Sequence, residues 1–595
     1  MKKEHILFVV ILIFGAFFRL YGLNWDQGMH LHPDERFLTM VTNDIAWPKD
    51  IAQYFDTNTS PLNPHNKKFT FYVYGTWPVI ITKYIAQLTS FDTYDGVPAV
   101  GRILAALCDI LTLLIVYKIG RSVDKNPYVG LFASFLYATA VLPIQLSHFY
   151  TVDPFANLFV SLTLLWVLEK KHATRIALAL GLAISAKISS MLLLPIVGLS
   201  YAMQFPWKGR TKHIWRERRH SIFSFLLLAI TTIIVVRVAY PYLFTTGVTL
   251  NPKVLANWKE LRSFEDALVM FPPALQWIHT TIALPLQNIA WFGLGLAQTL
   301  IFLTSILYLI KEAMQKKIHT NIVLILCFIG VIFLYQGTQF AKPMRYFWSA
   351  FPSIVLISSI FFTRGIQYVQ KKSHTLSIWI LSAIILLIIL WPSMFMHIYT
   401  KPHTRVAASE WIYQNIKKGS TLSWEHWDDP LPLLLGNHQG DEYQTHQLPV
   451  FDRDSQNKWK TIQTMLSQSD YYILSSNRAY GAITNVAFRF PQTARFYELL
   501  FSGNLGFTLV AQFVSRPTVP LSFIKTCVDP QVLTYGTIAQ KTITCNNGIQ
   551  LVDDFSDETF TVYDHPKVLI FKKTDQDIFI QSMNIIIDNA QKVIK

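Results

Sequence analysis

Few residues in this chain have the chemistry of a reactive site, and they stand at the edges of long apolar runs. In His32-Pro33-Asp34-Glu35 two carboxylates are adjacent. Like charges side by side raise the pKa of one member. A carboxylate so placed can take the proton of an attacking hydroxyl. The same residues, with Pro33 at the first turn, also suit a helix start whose free N–H groups attract acids, and spacing alone leaves both readings open. Asp153, in His148-Phe149-Tyr150-Thr151-Val152-Asp153-Pro154, poses the same choice between helix cap and site acid. Three cations need a reason: Lys187 between two apolar runs, and Lys342 and Arg345 in Gln339-Phe340-Ala341-Lys342-Pro343-Met344-Arg345-Tyr346. An anionic phosphate group would supply one; snorkelling to lipid headgroups is the alternative. Arg102 and Arg237 lie near helix ends on the same side. His30, His32 and His148 lack a tight ligand spacing, so no metal site is assigned to them.

Apolar runs of about twenty residues, separated by charge clusters, are what ~30 Å of hydrocarbon demands of helices. The pattern predicts about eleven spans: 5–23, 99–119, 128–147, 152–168, 173–186, 188–204, 221–240, 284–310, 320–338, 345–363 and 375–396. Alternate connections are short and basic: Lys2/Lys3, Lys118/Arg121/Lys125, Lys170/Lys171/Arg175, Lys208 through Arg219, Lys311/Lys316/Lys317 and Arg364/Lys371/Lys372. By the positive-inside rule these are cytoplasmic. Segments 24–98, 241–283 and everything after 397 then lie outside, and so do Asp34, Glu35, Asp153, Lys187, Lys342 and Arg345. Arg19-Leu20-Tyr21 closes the first span as an interfacial anchor. Segment 24–98 holds two expected surface helices, one beginning at His32 and one over Thr76–Leu88, with Phe37, Val41 and Ile45 as an apolar stripe for the membrane surface. The fold class expected is a mainly α polytopic membrane protein, domain 1–396, followed by an extracytoplasmic α/β or β-rich domain, 397–595. In the latter, a helix near 404–417 precedes short strands such as Tyr471–Leu474 and Val568–Phe571.

Composition agrees. The 595 residues are 51% hydrophobic and only 15% charged, against about 25% charged in soluble domains. The net charge of +15 resides in the short loops just named, which argues against a nucleic-acid partner. Four cysteines without a CxxC pair support no cysteine metal site. Cys108 and Cys327 fall in apolar runs, and whether Cys527 and Cys545 pair is open. Asp109, deep in its span, is expected to partner a polar neighbour.

The ordered set Asp34-Glu35-Arg36-Phe37, Tyr74-Gly75-Thr76-Trp77-Pro78, Gly101-Arg102-Ile103-Leu104, Gly181 through Pro195 around Lys187, and Lys342-Pro343-Met344-Arg345-Tyr346 resembles the GT-C glycosyltransferases of the protein O-mannosyltransferase and lipid A aminoarabinose transferase superfamily. Ser409-Glu410-Trp411-Ile412, Trp424 through Asp429 and Phe560 through Pro566 resemble stretches of a poorly characterised bacterial branch. The resemblance implies transfer of a sugar, with inversion, from a polyprenyl-phosphate donor to an acceptor hydroxyl at the outer face of the cell membrane. It implies Asp34 as general base, with Glu35 orienting the acceptor or supporting that base. Lys187, Lys342 and Arg345 would bind the donor phosphate, and Asp153, His32, Arg102, His148 and Tyr346 would position donor or acceptor. Members differ over a divalent cation, so metal stays open; sugar and acceptor (protein, lipid or glycan) are not specified. The chain departs from the family in an insertion around Ile51–Lys68 and in His32-Pro33. Two other classes remain: a transporter or flippase of lipid-linked sugar, which would want midplane charges and matched broken helices, and a non-catalytic glycolipid-binding membrane protein.

Overall fold

The computed structural model describes residues 3–207, 212–266, 268, 272–315, 318–530 and 536–592. Of the basic loop residues, Lys2, Lys208, Arg210, Lys316 and Lys317 lie outside the described residues.

Among the described residues, six helices are long and apolar enough to cross a bilayer, or seven if Pro127–Ala138 and Val141–Ser147, bent by 59°, form one span. The remaining expected spans are helices of another kind. Lys3–Leu20 carries charges at both ends, and Asp153–Leu168, Ala173–Ala186 and Ile188–Gln204 are apolar but short. A sixteen- or fourteen-residue helix falls below the ~20 residues a full crossing needs. Both are packed inside the bundle, with most of their residues buried.

Two expectations about surface position are corrected. Arg19 is wholly buried, its Nε 2.6 Å from Asp109 Oδ2, and Tyr137 donates its hydroxyl to the same carboxylate. A buried cation persists only when paired and hydrogen-bonded, so Arg19 ties the first helix to the bundle and is no interfacial anchor; Asp109 has the partner expected of it. The stripe on Pro33–Asp44 also faces protein: Val41 is 0% exposed and Ile45 2%, and the half-buried Phe37 lies against the rings of Phe69, Tyr72 and Tyr74, because segment 24–98 folds back on the bundle. Its insertion is placed as well. Ile51–Phe55 and Pro64–Lys67 form short helices, tied to the 238–244 stretch by Tyr54 Oη to the Val238 carbonyl, Thr57 Oγ1 to the Phe244 carbonyl and Ser60 to Tyr242.

After the last long apolar helix, His374–Met396, Thr404–Asn415 leads into a mixed α/β domain. Strands β1 (Thr421–Glu425), β2 (Gln444–Leu448), β3 (Tyr471–Leu474), β4 (Phe507–Phe513) and β8 (Val568–Lys573) form a sheet of order β2-β1-β3-β8-β4. The β1 pairings are parallel and the β8 pairings antiparallel. The helices Gln456–Gln468, Pro491–Ser502 and Gln576–Lys592 cover the core around Trp459, Phe496 and Phe579. A smaller sheet of order β5-β7-β6 (Thr518–Val519, Gly548–Leu551, Lys525–Val528) carries the Cys527–Cys545 disulfide.

The domain docks through residues 553–565. Asp557 accepts the Met344 N–H at 2.7 Å and donates its own N–H to Asn288. Asp564 receives Gln145 Nε2 and, at 2.8 Å, the Tyr399 hydroxyl. His565 sits between Asp564 and Asp553 at 2.6 and 3.0 Å. Burial opposes its charge, but the two carboxylates prevail and raise it to about 10, so it is an imidazolium clamped at the interface.

Candidate active site

Asp34 enters the site from the first turn of Pro33–Asp44, whose start is fixed by Pro33 and by His32 Nδ1, which accepts the Glu35 N–H. His32 is buried and stacked on Tyr563 at 3.9 Å. Burial, opposed by the charge of Asp34, takes it down to about 4. It is therefore a neutral cap and wall. The Asp34 carboxylate, 30% exposed, meets Arg345 Nη1 at 2.8 Å. Burial pushes it up, but Arg345 and a hydrogen bond from Tyr74 carry it down to about 2.

Across Arg345 the site continues. The Tyr346 ring lies 5.6 Å from the Arg345 guanidinium and 5.3 Å from Lys187 Nζ, and Lys187 pairs with Asp153 at 2.6 Å. Asp153, Lys187, Arg345 and Tyr346 line one cleft together with Gln336. Lys187 holds its place because Ala173–Ala186 ends there, in extended backbone. The same end is gripped by Gly75, whose N–H donates to the Ala186 carbonyl at 3.1 Å. A Cβ at Gly75 would fall 1.7 Å from the Ser185 carbonyl oxygen, so only glycine lets Tyr74 reach Asp34 while its neighbour touches this turn.

The cleft has a second character. On Asp153–Leu168, Asn157 and Val160 follow Asp153 along one face; on Thr320–Thr338, Ile332 and Phe328 recede from Gln336. Seven residues from Asp153 to Val160 and eight from Gln336 to Phe328, at 1.5 Å each, carry the lining roughly 10–12 Å along the two helices, and Ile332, Leu192 and Leu193 add apolar side chains to it beside Asn157, Ser189 and Ser190.

Several residues expected at the site do other work. Glu35 is 0% exposed. Arg102 reaches it through Nε at 3.1 Å and holds Asp26 through both terminal nitrogens at 2.8 Å, while the Tyr150 N–H donates to Glu35 at 2.8 Å. Gly101 permits this packing, since a Cβ there would lie 2.2 Å from the Tyr150 ring. Glu35 and Arg102 are thus the frame that fixes the helix carrying Asp34, and neither lines the cleft. His148 is likewise buried, bonded to the Ile144 and Tyr21 carbonyls and stacked on Tyr399. The Lys342 ammonium donates to the Phe340 carbonyl at 3.0 Å, beside Glu265, away from the cleft lining; burial lowers its pKa. Arg237 bonds the Gly247 and Pro241 carbonyls.

Two residues escaped the sequence reading. Both Tyr74 and Tyr563 were visible only inside motif stretches. Tyr563 arrives from the other domain: it stacks on His32 and shares electrostatic contact with Arg345 and Asp34, a neighbour 529 positions from Asp34 in sequence that no spacing rule reveals. Among the described residues no group of three His, Cys, Asp or Glu is placed to hold a metal ion. Asp34 and Asp153 each face a side-chain cation.

No family model matches the chain, and no curated protein matches it. Among solved structures, it is similar to the oligosaccharyltransferase of Archaeoglobus fulgidus tethered to an acceptor peptide (11% identity, 96% of this chain and 89% of that one, TM-score 0.48). It is also similar to ArnT from Cupriavidus metallidurans bound to undecaprenyl phosphate (13%, 93% and 87%, TM-score 0.40). A third is the S. cerevisiae protein O-mannosyltransferase Pmt1–Pmt2 complex bound to the sugar donor (16%, 42% and 35%, TM-score 0.31). At these identities and scores the likeness is one of overall shape, and a loose one.

Proposed function

We propose that this chain is a multi-pass membrane glycosyltransferase that moves a sugar, with inversion, from a polyprenyl-phosphate carrier to an acceptor hydroxyl at the outer face of the cell membrane. The observation that carries the reading is the cleft with two characters. Its charged end suits a phosphate and its apolar length suits an isoprenoid tail. A further sign is that Arg345 Nε is buried without a hydrogen-bond partner, a donor that an anionic oxygen would satisfy.

In this reading the donor phosphate settles between Arg345 and Lys187. Sharing Arg345 with the phosphate weakens its hold on Asp34, whose carboxylate becomes more basic as the donor binds. The acceptor hydroxyl oxygen attacks the anomeric carbon from the face opposite the phosphate. As the new C–O bond forms, the old one to the phosphate breaks, and its electron pair passes to the phosphate oxygen. The hydroxyl proton goes to Asp34. Arg345 and Lys187 stabilise the charge on the departing phosphate, the kind of fixed electrostatic help that supplies several kcal/mol. Asp153 orients Lys187, Tyr346 keeps the two cations apart, and Tyr74 orients Asp34. No step needs a metal from these residues.

Asp153, Lys187 and Arg345 line one cleft and Arg345 links it to Asp34, an arrangement that favours an enzyme over a transporter, whose polar groups would run along a path through the membrane. The test is transfer of radiolabelled sugar from a panel of polyprenyl-phosphate sugars by the full chain in lipid nanodiscs. Wild type is expected to transfer from one donor and Asp34→Asn to lose transfer by ~10²–10⁴-fold with unchanged folding. Undiminished transfer in the folded variant would overturn the role of Asp34.

A further inference from the structure

Asn157 stands one helical turn beyond Asp153 on Asp153–Leu168 and lines the donor cleft. It is 3% exposed, and its orientation is fixed from behind. Arg19 holds Asp109 at 2.6 Å. A carboxylate so paired only accepts, so the Tyr137 hydroxyl gives its one proton to Asp109, at 2.5 Å. The Tyr137 oxygen is then left with lone pairs alone. What bonds it from Asn157 must be the amide nitrogen, Nδ2, at 3.0 Å. The amide cannot be turned over without losing this bond. Its other end, Oδ1, is buried and has no hydrogen-bond partner.

A buried acceptor without a donor is costly, and native proteins rarely keep one. Here the relay of Arg19, Asp109 and Tyr137 enforces it. The cost has a use if a ligand brings the missing donor. The same lining also carries the neutral side chains of Ser189, Ser190, Gln336 and Ser349. An isoprenoid tail has no group that uses them. A phosphate oxygen, itself an acceptor, would be repelled by Oδ1. A sugar hydroxyl, in contrast, both donates and accepts.

We infer that Asn157 is the donor-sugar recognition residue of this cleft, accepting a hydrogen bond from a hydroxyl of the sugar carried on the polyprenyl phosphate. The inference rests on the glycosyltransferase reading above and deepens it, by placing selection of the donor sugar at one amide. Four residues at 1.5 Å each put Asn157 ~6 Å along the helix from Asp153, which holds Lys187 at 2.6 Å. That separation is about the width of a pyranose ring. A sugar whose phosphate is held by Lys187 and Arg345 therefore reaches Asn157 with a ring hydroxyl. Asn157 touches no reacting atom, and its part is selection: a sugar lacking that hydroxyl leaves the acceptor unpaired and is rejected.

The test uses the purified full chain in lipid nanodiscs and calorimetric titration with farnesyl phosphate and with farnesyl-phosphate mannose, glucose, galactose and N-acetylglucosamine, on wild type and Asn157→Ala. N157A is expected to weaken at least one sugar-bearing probe about tenfold and to bind farnesyl phosphate within about twofold of wild type. Removing the hydroxyls of that sugar one at a time should find one whose loss costs wild type about tenfold and N157A nothing. Thermal melting is the folding control, and Asn157→Ser, whose oxygen falls short of the sugar, takes the place of N157A if the latter does not fold. Equal weakening of farnesyl phosphate and its sugar derivatives, equal deoxy-sugar costs in wild type and variant, or no saturable binding of any sugar-bearing probe would each overturn the inference. Transfer assays separate it from the reading beneath it. Transfer that needs Asp34 but keeps its preference among donors in N157A leaves the glycosyltransferase standing and removes Asn157. Binding that depends on Asn157, beside transfer undiminished in Asp34→Asn, leaves the recognition residue standing and removes Asp34 as the base.

Discussion

Replacing Arg345 with Gln should change the pH dependence of transfer as well as its rate. In the structure Asp34 is burdened by burial and relieved chiefly by Arg345, 2.8 Å away, leaving it at about 2. Its neighbour His32 is neutral above about pH 4 and cannot take over. Without the guanidinium, Asp34 should return at least to its ordinary 3.8, a rise of about 1.8 units (3.8 − 2), or ~2.4 kcal/mol at 1.36 kcal/mol per unit. A carboxylate works as a base only when ionised, so kcat/KM, which reports the free enzyme, should be flat in wild type from pH 8 to 3.5. In R345Q it should fall with an acid limb centred at or above pH 4. In wild type, kcat should show its limb at higher pH than kcat/KM, because the bound donor draws Arg345 away from Asp34. Lost phosphate stabilisation should separately lower kcat by ~10²–10³-fold, with Arg345→Lys recovering part of it. The assay is initial-rate transfer in nanodiscs across that pH range, with thermal melting as the folding control. A slower R345Q whose pH profile superimposes on wild type would refute the coupling of Arg345 to Asp34, and one within twofold of wild type at all pH values would remove Arg345 from the site.

Glu35→Ala and Arg102→Ala should each cost ~3–5 kcal/mol by stranding a buried charge, read as a large fall in melting temperature, whereas Asp34→Asn should melt near wild type; the opposite order would contradict the division between frame and base. Gly75→Ala should displace the Lys187 turn and reduce transfer more than tenfold while the protein still folds, checked by activity and detergent-exclusion chromatography. Removing Cys527–Cys545 by a double Ser substitution should destabilise the α/β domain by ~3 kcal/mol for a loop of this size, seen as earlier protease cleavage there and no change in donor binding. Glu425 is buried against the Tyr472 and Tyr497 hydroxyls, and burial raises its carboxyl to about 8 from an ordinary 4.5. The folded state then keeps a proton that the unfolded state has released, so α/β-domain stability should fall as pH rises from about 4.5 to about 8, and Glu425→Gln should flatten that dependence in denaturant titrations of the full chain.

The elements were legible where one physical signal dominated. Apolar run length placed the long helices, and Pro33 with acids behind it placed the helix that carries Asp34. The strands at Tyr471–Leu474 and Val568–Lys573 are where the short apolar runs put them. What run length cannot tell is how a helix is packed: Ala173–Ala186 is mostly buried in the bundle. Nor does an arginine at a helix end declare whether it meets headgroups or, like Arg19, a buried aspartate. That depends on a partner 90 positions away.

The same limit explains how the candidate site was partly seen. Asp34, Asp153, Lys187 and Arg345 stood out because charge at the edge of an apolar run is costly and therefore noticeable; Tyr346 entered only with a motif stretch. Glu35, Arg102 and His148 were noticeable for the same reason, yet their charges and ring nitrogens are spent on one another and on backbone carbonyls. Cost marks a residue as purposeful without saying whether the purpose is chemistry or support; only the partner decides. Asp34 differs from Glu35 in one respect that the linear sequence hides: its cation also borders a cleft and has a donor to spare, while the cation of Glu35 is fully committed to two buried acids. In the proposed reading, a site residue is thus a charged group whose partner can be taken by something else. Arg345 is such a partner, and Tyr563 completes its surroundings from the α/β domain, so the two domains are expected to act as one catalytic unit.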